Sequence, residues 1–323
     1  MKTVKYLFLA AAAMTLAACS NDENEIDNGP VEARISAAFG PVTRAVNTDN
    51  TWTASTDKIG IMVTHAPTST TAMTDRYKNV EYTAQTSGES SNFSAETGKG
   101  IFFQDASETV TFAAYYPYQA STNAGTLPGT SHNGVVEVNT QNNNTAEKQV
   151  SIDFLFASDA TASKGKPTVS FSSSNEFKHK MAQLKLVIKA DTDHGFTDAE
   201  AADILGSADG TYKLGGLVHA GTFKVTDGTT DVTGNAVSEW DITKLACSDN
   251  KNTKTRTYTL ILLPQDKNGA SLTFTAKIGG QTYTNSATIA PKLEAGKQYT
   301  YTITLKKKGL TVSGCTIAEW ETG

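Results

Sequence analysis

The chain has 323 residues, of which 38% are hydrophobic and 19% charged, with a formal net charge of -5. This length accommodates two ordinary domains, and the acidic balance argues against a nucleic-acid partner, which would need a basic stripe. Threonine, serine, asparagine and glycine recur throughout while long helical periodicities are nearly absent, so the sequence predicts an all-β chain.

Lys2 and Lys5 flank the start of a short apolar run over residues 4–18, too short to span a bilayer. It ends in Leu16-Ala17-Ala18-Cys19, which matches the lipobox of bacterial lipoproteins. Residues 1–18 are therefore read as a signal peptide. The Cys19 thiol is the expected acyl acceptor, attaching the chain to outer-membrane lipid. The acidic, polar run Ser20-Asn21-Asp22-Glu23-Asn24-Glu25 cannot pack, so residues 19–30 are read as a solvated tether.

Val31, Ala33, Ile35, Ala37 and Phe39 are apolar at period two, with Glu32, Arg34 and Ser36 between them. This is the pattern of a half-buried strand. Gly40-Pro41 stops it, and Arg44-Ala45 follows in a loop-like, threonine-bearing stretch. A cut after Arg44 would free the body from the anchor, with Arg34, inside the strand, as the competing basic site.

Trp52 precedes a compact apolar run at 59–63, a buried strand. Residues 64–74 read as a loop and 78–84 as a short strand. Phe93 and Ile101-Phe102-Phe103 flank a glycine-bearing turn. Residues 110–118 are strong strand chemistry with a stop at Pro117. Val135-Val136-Glu137-Val138 is another strand, 139–148 a polar asparagine-rich loop, and 151–157 a further strand. Short strands separated by frequent turns are what a β-sandwich needs.

The small, polar stretch 158–167 reads as a domain boundary, giving an N-terminal sandwich over 45–166 and a C-terminal one over 167–323. The second opens with strands at 168–171 and 180–189, where Leu184, Leu186 and Ile188 share a face. Residues 197–205 are the one short helix candidate, and a plain connector is preferred there. Strands follow at 258–263, at Leu272, Phe274, Ala276 and Ile278 before Gly279-Gly280, and at Tyr299, Tyr301, Ile303 and Leu305. In the terminal segment 309–323, Leu310 and Val312 share a face. Gly314 shifts the register, Cys315 and Ile317 share a face, and Trp320 follows. A terminus is usually polar and frayed, so these apolar half-strands either dock on their own domain or are offered to another molecule.

Cys247 and Cys315 form a disulfide candidate, since export permits one, although spacing alone does not bring two cysteines together. The alternative is two small buried apolar residues. His65, His132, His179, His194 and His219 have no metal-ligand spacing, and no C-x-x-C occurs. No G-x-S-x-G elbow, Walker A sequence or dinucleotide fingerprint is present. His179, between Lys178 and Lys180, reads as a packing or hydrogen-bonding residue. Asp57, Asp153 and Asp159 give no paired-carboxylate signal. The sequence is read as a non-enzyme with no cofactor or metal.

Several segments in order resemble the fimbrillin (Mfa-like) family, subunits of type V pili of anaerobic Gram-negative bacteria. They are the Cys19 lipobox, Val42-Thr43-Arg44-Ala45, Trp52, and Asp57-Lys58-Ile59-Gly60-Ile61. Phe112 through Tyr118, Asp153-Phe154-Leu155-Phe156-Ala157, Phe177-Lys178-His179-Lys180-Met181 and Gly296-Lys297-Gln298-Tyr299 follow. Thr316-Ile317-Ala318-Glu319-Trp320 completes the set. The resemblance implies two tandem transthyretin-like β-sandwich domains and export to the outer membrane as a lipoprotein. It further implies removal of residues 31–44 by an arginine-specific surface protease acting after Arg44. The C-terminal region of a neighbouring fimbrial subunit would then fill the groove left behind. Leu310, Val312, Cys315, Ile317 and Trp320 are the candidate plugs. A tip adhesin or non-polymerising surface lipoprotein that binds glycan or host protein is the alternative, supported by the aromatic run at 115–118.

Overall fold

The computed structural model describes residues 29–38, 51–66, 73–104, 109–191, 196–197, 204–205, 211–267, 271–278, 281–288, 292–312 and 314–320. It is all-β among these residues, apart from one helical turn, Met73–Arg76, and two short 3-10 turns.

The first large sheet has eight strands. In spatial order they are Thr168–Phe171, Arg34–Ala38, Ser90–Ser94, Val80–Ala84, Lys58–His65, Thr109–Tyr116, Leu155–Ser163 and Lys178–His179. The sheet coils so that Thr168–Phe171, at one edge, lies against Leu155–Ser163 near the other. Its interior is a core that includes Ile35, Trp52, Ile59, Ile61, Tyr82, Phe103, Phe112 and Phe177. Trp52 is the hub, with edge-on contacts to Phe93, Tyr116 and Phe177 at centroid distances of 5.0, 5.8 and 5.7 Å, a geometry that the aromatic quadrupole favours.

A second core lies between two further sheets. One carries Cys247–Asn250, Thr255–Leu262, Ala182–Ala190, Lys297–Lys306 and the C-terminal half-strands. The other carries Trp240–Asp241, Thr211–Gly215, Ser271–Ile278 and Gln281–Thr288. Leu184, Leu186, Ile188, Tyr258 and Tyr301 from the first meet Tyr212, Leu214 and Phe274 from the second. The period-two pattern read over 180–189 produces this directly: alternate side chains leave a strand on opposite faces. A third core joins Met62, Tyr115, Phe154 and Phe156 to Met181, Phe223, Ile261, Leu263 and Trp320.

Three expectations about organisation are corrected. Residues 158–167 do not form a linker, because the strand Leu155–Ser163 runs through most of them. Thr168–Phe171 does not open a second unit, since it pairs with Arg34–Ala38 in the first sheet, and the first core reaches Phe177. Val135–Asn139, assigned to the N-terminal half, pairs instead with Ala220–Lys224. The misreading has a physical source. Ala157, Ala160 and Ala162 are the buried face of that strand, and alanine carries little strand propensity. Asp159, at φ 63°, interrupts the alternation where the pairing with Thr109–Tyr116 shifts register. A bulge of this kind reads as a loop in sequence. The helix candidate at 197–205 lies almost wholly outside the described residues.

Candidate assembly site

The predicted N-terminal strand is present, and it sits inside the first sheet, not at its edge. Ile35 pairs with Phe93, Ser36 with Asn92 and Ala37 with Ser91 on the antiparallel side. On the parallel side Ile35 meets Val169, Ser36 meets Ser170 and Ala37 meets Phe171. Upstream, Val31–Glu32 pairs with Phe102–Phe103. The Ala33 N–H donates to the Ile101 carbonyl and the Arg34 N–H to the Pro167 carbonyl, each at 2.8 Å. Ala33, Ile35 and Ala37 are buried at 4%, 2% and 2% exposure, whereas Val31 is half-buried and Arg34 exposed. Taking the strand out would leave its two neighbours roughly 10 Å apart, twice the spacing of paired strands, with unsatisfied backbone on both walls. Phe39, Arg44, Ala45 and Cys19 lie outside the described residues.

The C-terminal segment docks on its own chain. Gly309–Val312 pairs with Ile303 to Lys306, and Thr316–Glu319 with Lys297 to Thr300. The two half-strands differ by one residue in register, so the shift anticipated at Gly314 is present. Leu310 is buried, Val312 and Cys315 are half-buried against the second core, and Ile317 is 52% exposed. Every residue of Thr316–Glu319 is exposed. Trp320 is the exception at 0% exposure.

Its seat is built from residues that sequence reasoning did not bring together. The indole lies flat on the His179 imidazole, with centroids 3.8 Å apart and planes inclined by 4°. His179 Nδ1 donates to Asp153 Oδ1 at 2.7 Å, and both side chains are almost fully buried. The Trp320 backbone N–H donates to the Gly296 carbonyl at 2.8 Å. His179 acts as a packing and hydrogen-bonding residue, as read. The signal that could have linked the three is shared chemistry: a buried imidazole wants a carboxylate on one nitrogen and an aromatic face beside the ring.

The candidate disulfide between Cys247 and Cys315 is absent; both thiols are free. Cys247 lies on one edge strand of its sheet and Cys315 beside the strand at the opposite edge, with three strands between. That is roughly 19 Å at the usual strand spacing, far beyond the reach of a disulfide. Cys247 is also exposed, not a buried apolar residue.

Tyr115 and Tyr116 pack in the cores, at 0% and 3% exposure. Only Tyr118 of that aromatic run reaches a surface cleft, of about 940 Å³, shared with Tyr77, Asn79, Glu81 and Phe102. Among the described residues no three His, Cys, Asp or Glu side chains cluster as a metal site.

Comparison with known proteins places this architecture. A family model described as fimbrillin-like matches residues 43–320. The chain belongs to the fimbrillin-like family. The "Putative fimbrium subunit Fim1C" of Bacteroides uniformis is 29% identical over a 331-residue alignment that covers 100% of this chain and 97% of the relative. A crystal structure of a cell adhesion protein, described as putative, from Bacteroides ovatus superposes with a TM-score of 0.68 at 28% identity. It covers 90% of this chain and 98% of its own. A similarly described protein from Bacteroides uniformis gives 0.65 at 26% identity, over 92% and 100%. The resemblance inferred from dispersed short segments is thus supported along the whole fimbrillin-like body.

Proposed function

We propose that this chain is a structural pilus subunit that assembles by strand exchange. In this reading it is exported as a lipoprotein acylated on Cys19 and reaches the outer-membrane surface. An arginine-specific protease cuts after Arg44, the 31–44 strand leaves, and the C-terminal segment of another fimbrial subunit takes its place. The two large cores belong to two transthyretin-like sandwich domains joined through the third. The role is mechanical and adhesive, with no catalytic step.

The observation that carries the reading is the interior position of Arg34–Ala38, bonded on both sides in the first sheet. A strand so placed leaves a slot rather than a frayed edge, and a slot of unpaired backbone is a template for another chain. Burying Ile35 alone is worth ~1.5–3 kcal/mol, so an empty slot is under strong pressure to refill. The family match supports the same division, since it begins at residue 43, after the strand.

The test is limited digestion with an arginine-specific protease, N-terminal sequencing and electrophoresis without boiling. A new N-terminus at Ala45 followed by a ladder of multimers is expected. Confirmed cleavage at Ala45 with the product remaining monomeric refutes the proposal. The Tyr118 cleft favours an adhesin reading instead, and saccharide binding by uncut monomer, lost in Tyr118→Ala, would support it.

A further inference from the structure

The side chains that line the cleft of about 940 Å³ beside Tyr118 are held in place by the fold. Asn79 is fixed at both ends of its amide: Oδ1 accepts the Tyr115 hydroxyl at 2.7 Å and Nδ2 donates to the Gln119 carbonyl at 3.0 Å. The Tyr77 hydroxyl accepts the Phe102 N–H at 3.1 Å. The Tyr118 backbone N–H donates to the Lys58 carbonyl at 2.9 Å. Its ring and that of Phe102 are half-buried, so each keeps part of an apolar surface toward the cleft, the kind of surface on which the C–H side of a sugar ring packs. The volume is at the upper end for small-molecule sites and admits a short oligosaccharide. Pro30 lines the same cleft, directly before Val31–Glu32, which pairs with Phe102–Phe103. The uncut chain therefore has this wall complete.

The charges around the cleft are unevenly answered. Three cations, Arg76, Lys78 and Lys99, line it against two carboxylates, Glu81 and Glu96, on a chain whose formal net charge is -5. Glu96 pairs with Lys99 at 2.7 Å, Glu81 with Lys58 at 2.6 Å, and Lys78 with Asp75 at 3.5 Å. Arg76 has no carboxylate within ion-pair distance among the described residues. It ends the helical turn Met73–Arg76, which is closed by the Tyr77 N–H on the Met73 carbonyl at 2.8 Å and seated by burial of Met73 and Tyr77. Its guanidinium lies over the Tyr77 ring, 5.3 Å from the centroid, a contact that positions the group and leaves its charge in place. The planar fork of an exposed arginine is the side chain suited to take a carboxylate through two parallel hydrogen bonds.

Resting on the saccharide reading of the Tyr118 cleft, we infer that its ligand is an acidic glycan, one bearing a uronic or sialic acid. A sugar ring packs on Tyr118, and the carboxylate of the acidic sugar is taken by Arg76.

Calorimetric titration of the uncut full chain tests this with two matched pairs of probes: trigalacturonate against its methyl triester, and sialyllactose against lactose. The acidic member of at least one pair should bind more tightly by about tenfold, as expected when a charge-assisted hydrogen-bonded pair is gained. Arg76→Gln, at an exposed position, should abolish that preference and leave the affinity for the neutral member as it was. Arg76→Lys, which keeps the charge and loses the fork, should restore part of it. Equal binding of acidic and neutral members by the parent chain, or a preference that survives in Arg76→Gln, overturns the acidic assignment and leaves the saccharide reading standing. Hexaglutamate carries carboxylates without sugar rings. If it competes as well as the acidic saccharide, the cleft reads charge alone and the glycan assignment falls. No binding of any of the four saccharides overturns the inference and the saccharide reading together.

Discussion

Replacing Trp320 by alanine tests what holds the C-terminal segment to its own chain. The indole is fully buried in the third core and stacked on His179, and truncating a buried tryptophan to alanine costs about 3–5 kcal/mol. The remaining attachments of Thr316–Glu319 are weaker. Its side chains are exposed, its ladder bonds to Lys297 through Thr300 contribute ~0.5–1.5 kcal/mol each against water, and the Lys297–Glu319 ion pair is partly solvated, so it adds little. Trp320→Ala should therefore detach this segment locally rather than unfold the protein. Cys315 reports the event, because it is half-buried beside the segment and burial pushes its thiol pKa up, suppressing reactivity. Alkylation of Cys315, referenced to exposed Cys247 in the same molecule, should accelerate by about 100-fold for a loss near 3 kcal/mol. Trp320→Phe, which keeps a stacking face, should fall between. A folded Trp320→Ala protein with the parental Cys315 rate would refute the assignment of Trp320 as the principal anchor.

Other residues make equally direct predictions. Burial pushes the His219 imidazole down to about 4, with Lys267 adding to the effect, while the unfolded chain protonates near 6.5. The unfolded state thus binds the proton first as pH falls. Stability drains from about pH 6.5 downward and is lost by about 3 kcal/mol once pH is below the folded value. Urea titrations from pH 7 to 4 should show this slope flattened in His219→Asn. Asn144 pairs with Ile261 as a strand would, its Nδ2 donating to the Ile261 carbonyl at 2.8 Å and its Oδ1 accepting the Ile261 N–H at 2.6 Å. Asn144→Ala should lower stability by about 1–3 kcal/mol for each buried group left unpaired, measured by chemical denaturation. A Cβ on Gly60 would overlap the Tyr115 ring, so Gly60→Ala should lose about 1–3 kcal/mol through overpacking, visible as a reduced melting temperature.

The parts of the fold legible in sequence were those where one face of a strand is large and apolar. Ile59, Ile61 and Val63, Leu184 through Ile188, and Tyr299 through Leu305 announce their strands because large side chains alternate with polar ones. The strand Leu155–Ser163 was legible only in its aromatic first half, since alanine fills a crowded interior yet resembles a linker in sequence. The asparagine-rich stretch after Val138 looked like an idle loop. Asn144 and Gln149 instead hydrogen-bond across to Thr259 and Ile261, and nothing local marks a polar side chain for a partner more than a hundred residues away. The same holds for the Trp320 seat: its residues come from three separate stretches, and only the closed fold makes them neighbours.

The two ends of the body are held by different physics, and this bears on the order of events in assembly. Arg34–Ala38 is bonded on both flanks and buries Ala33, Ile35 and Ala37 in a continuous core. Spontaneous withdrawal would break both ladders at once, so the departure proposed above would call for a covalent cut that makes the loss irreversible. The C-terminal segment is bonded on one flank and anchored by one side chain. Around that anchor, Trp320 Nε1, His179 Nε2 and Asp153 Oδ2 are buried without a protein partner among the described residues. Each unpaired polar atom subtracts from what burial of the indole contributes, so the anchor is weaker than its buried area suggests. A segment held this way can leave and return without unfolding the sheet behind it. Under the proposed strand exchange the donor is therefore the reversible partner and the slot the irreversible one, so cleavage would set when assembly begins while release of Trp320 would set how fast it proceeds.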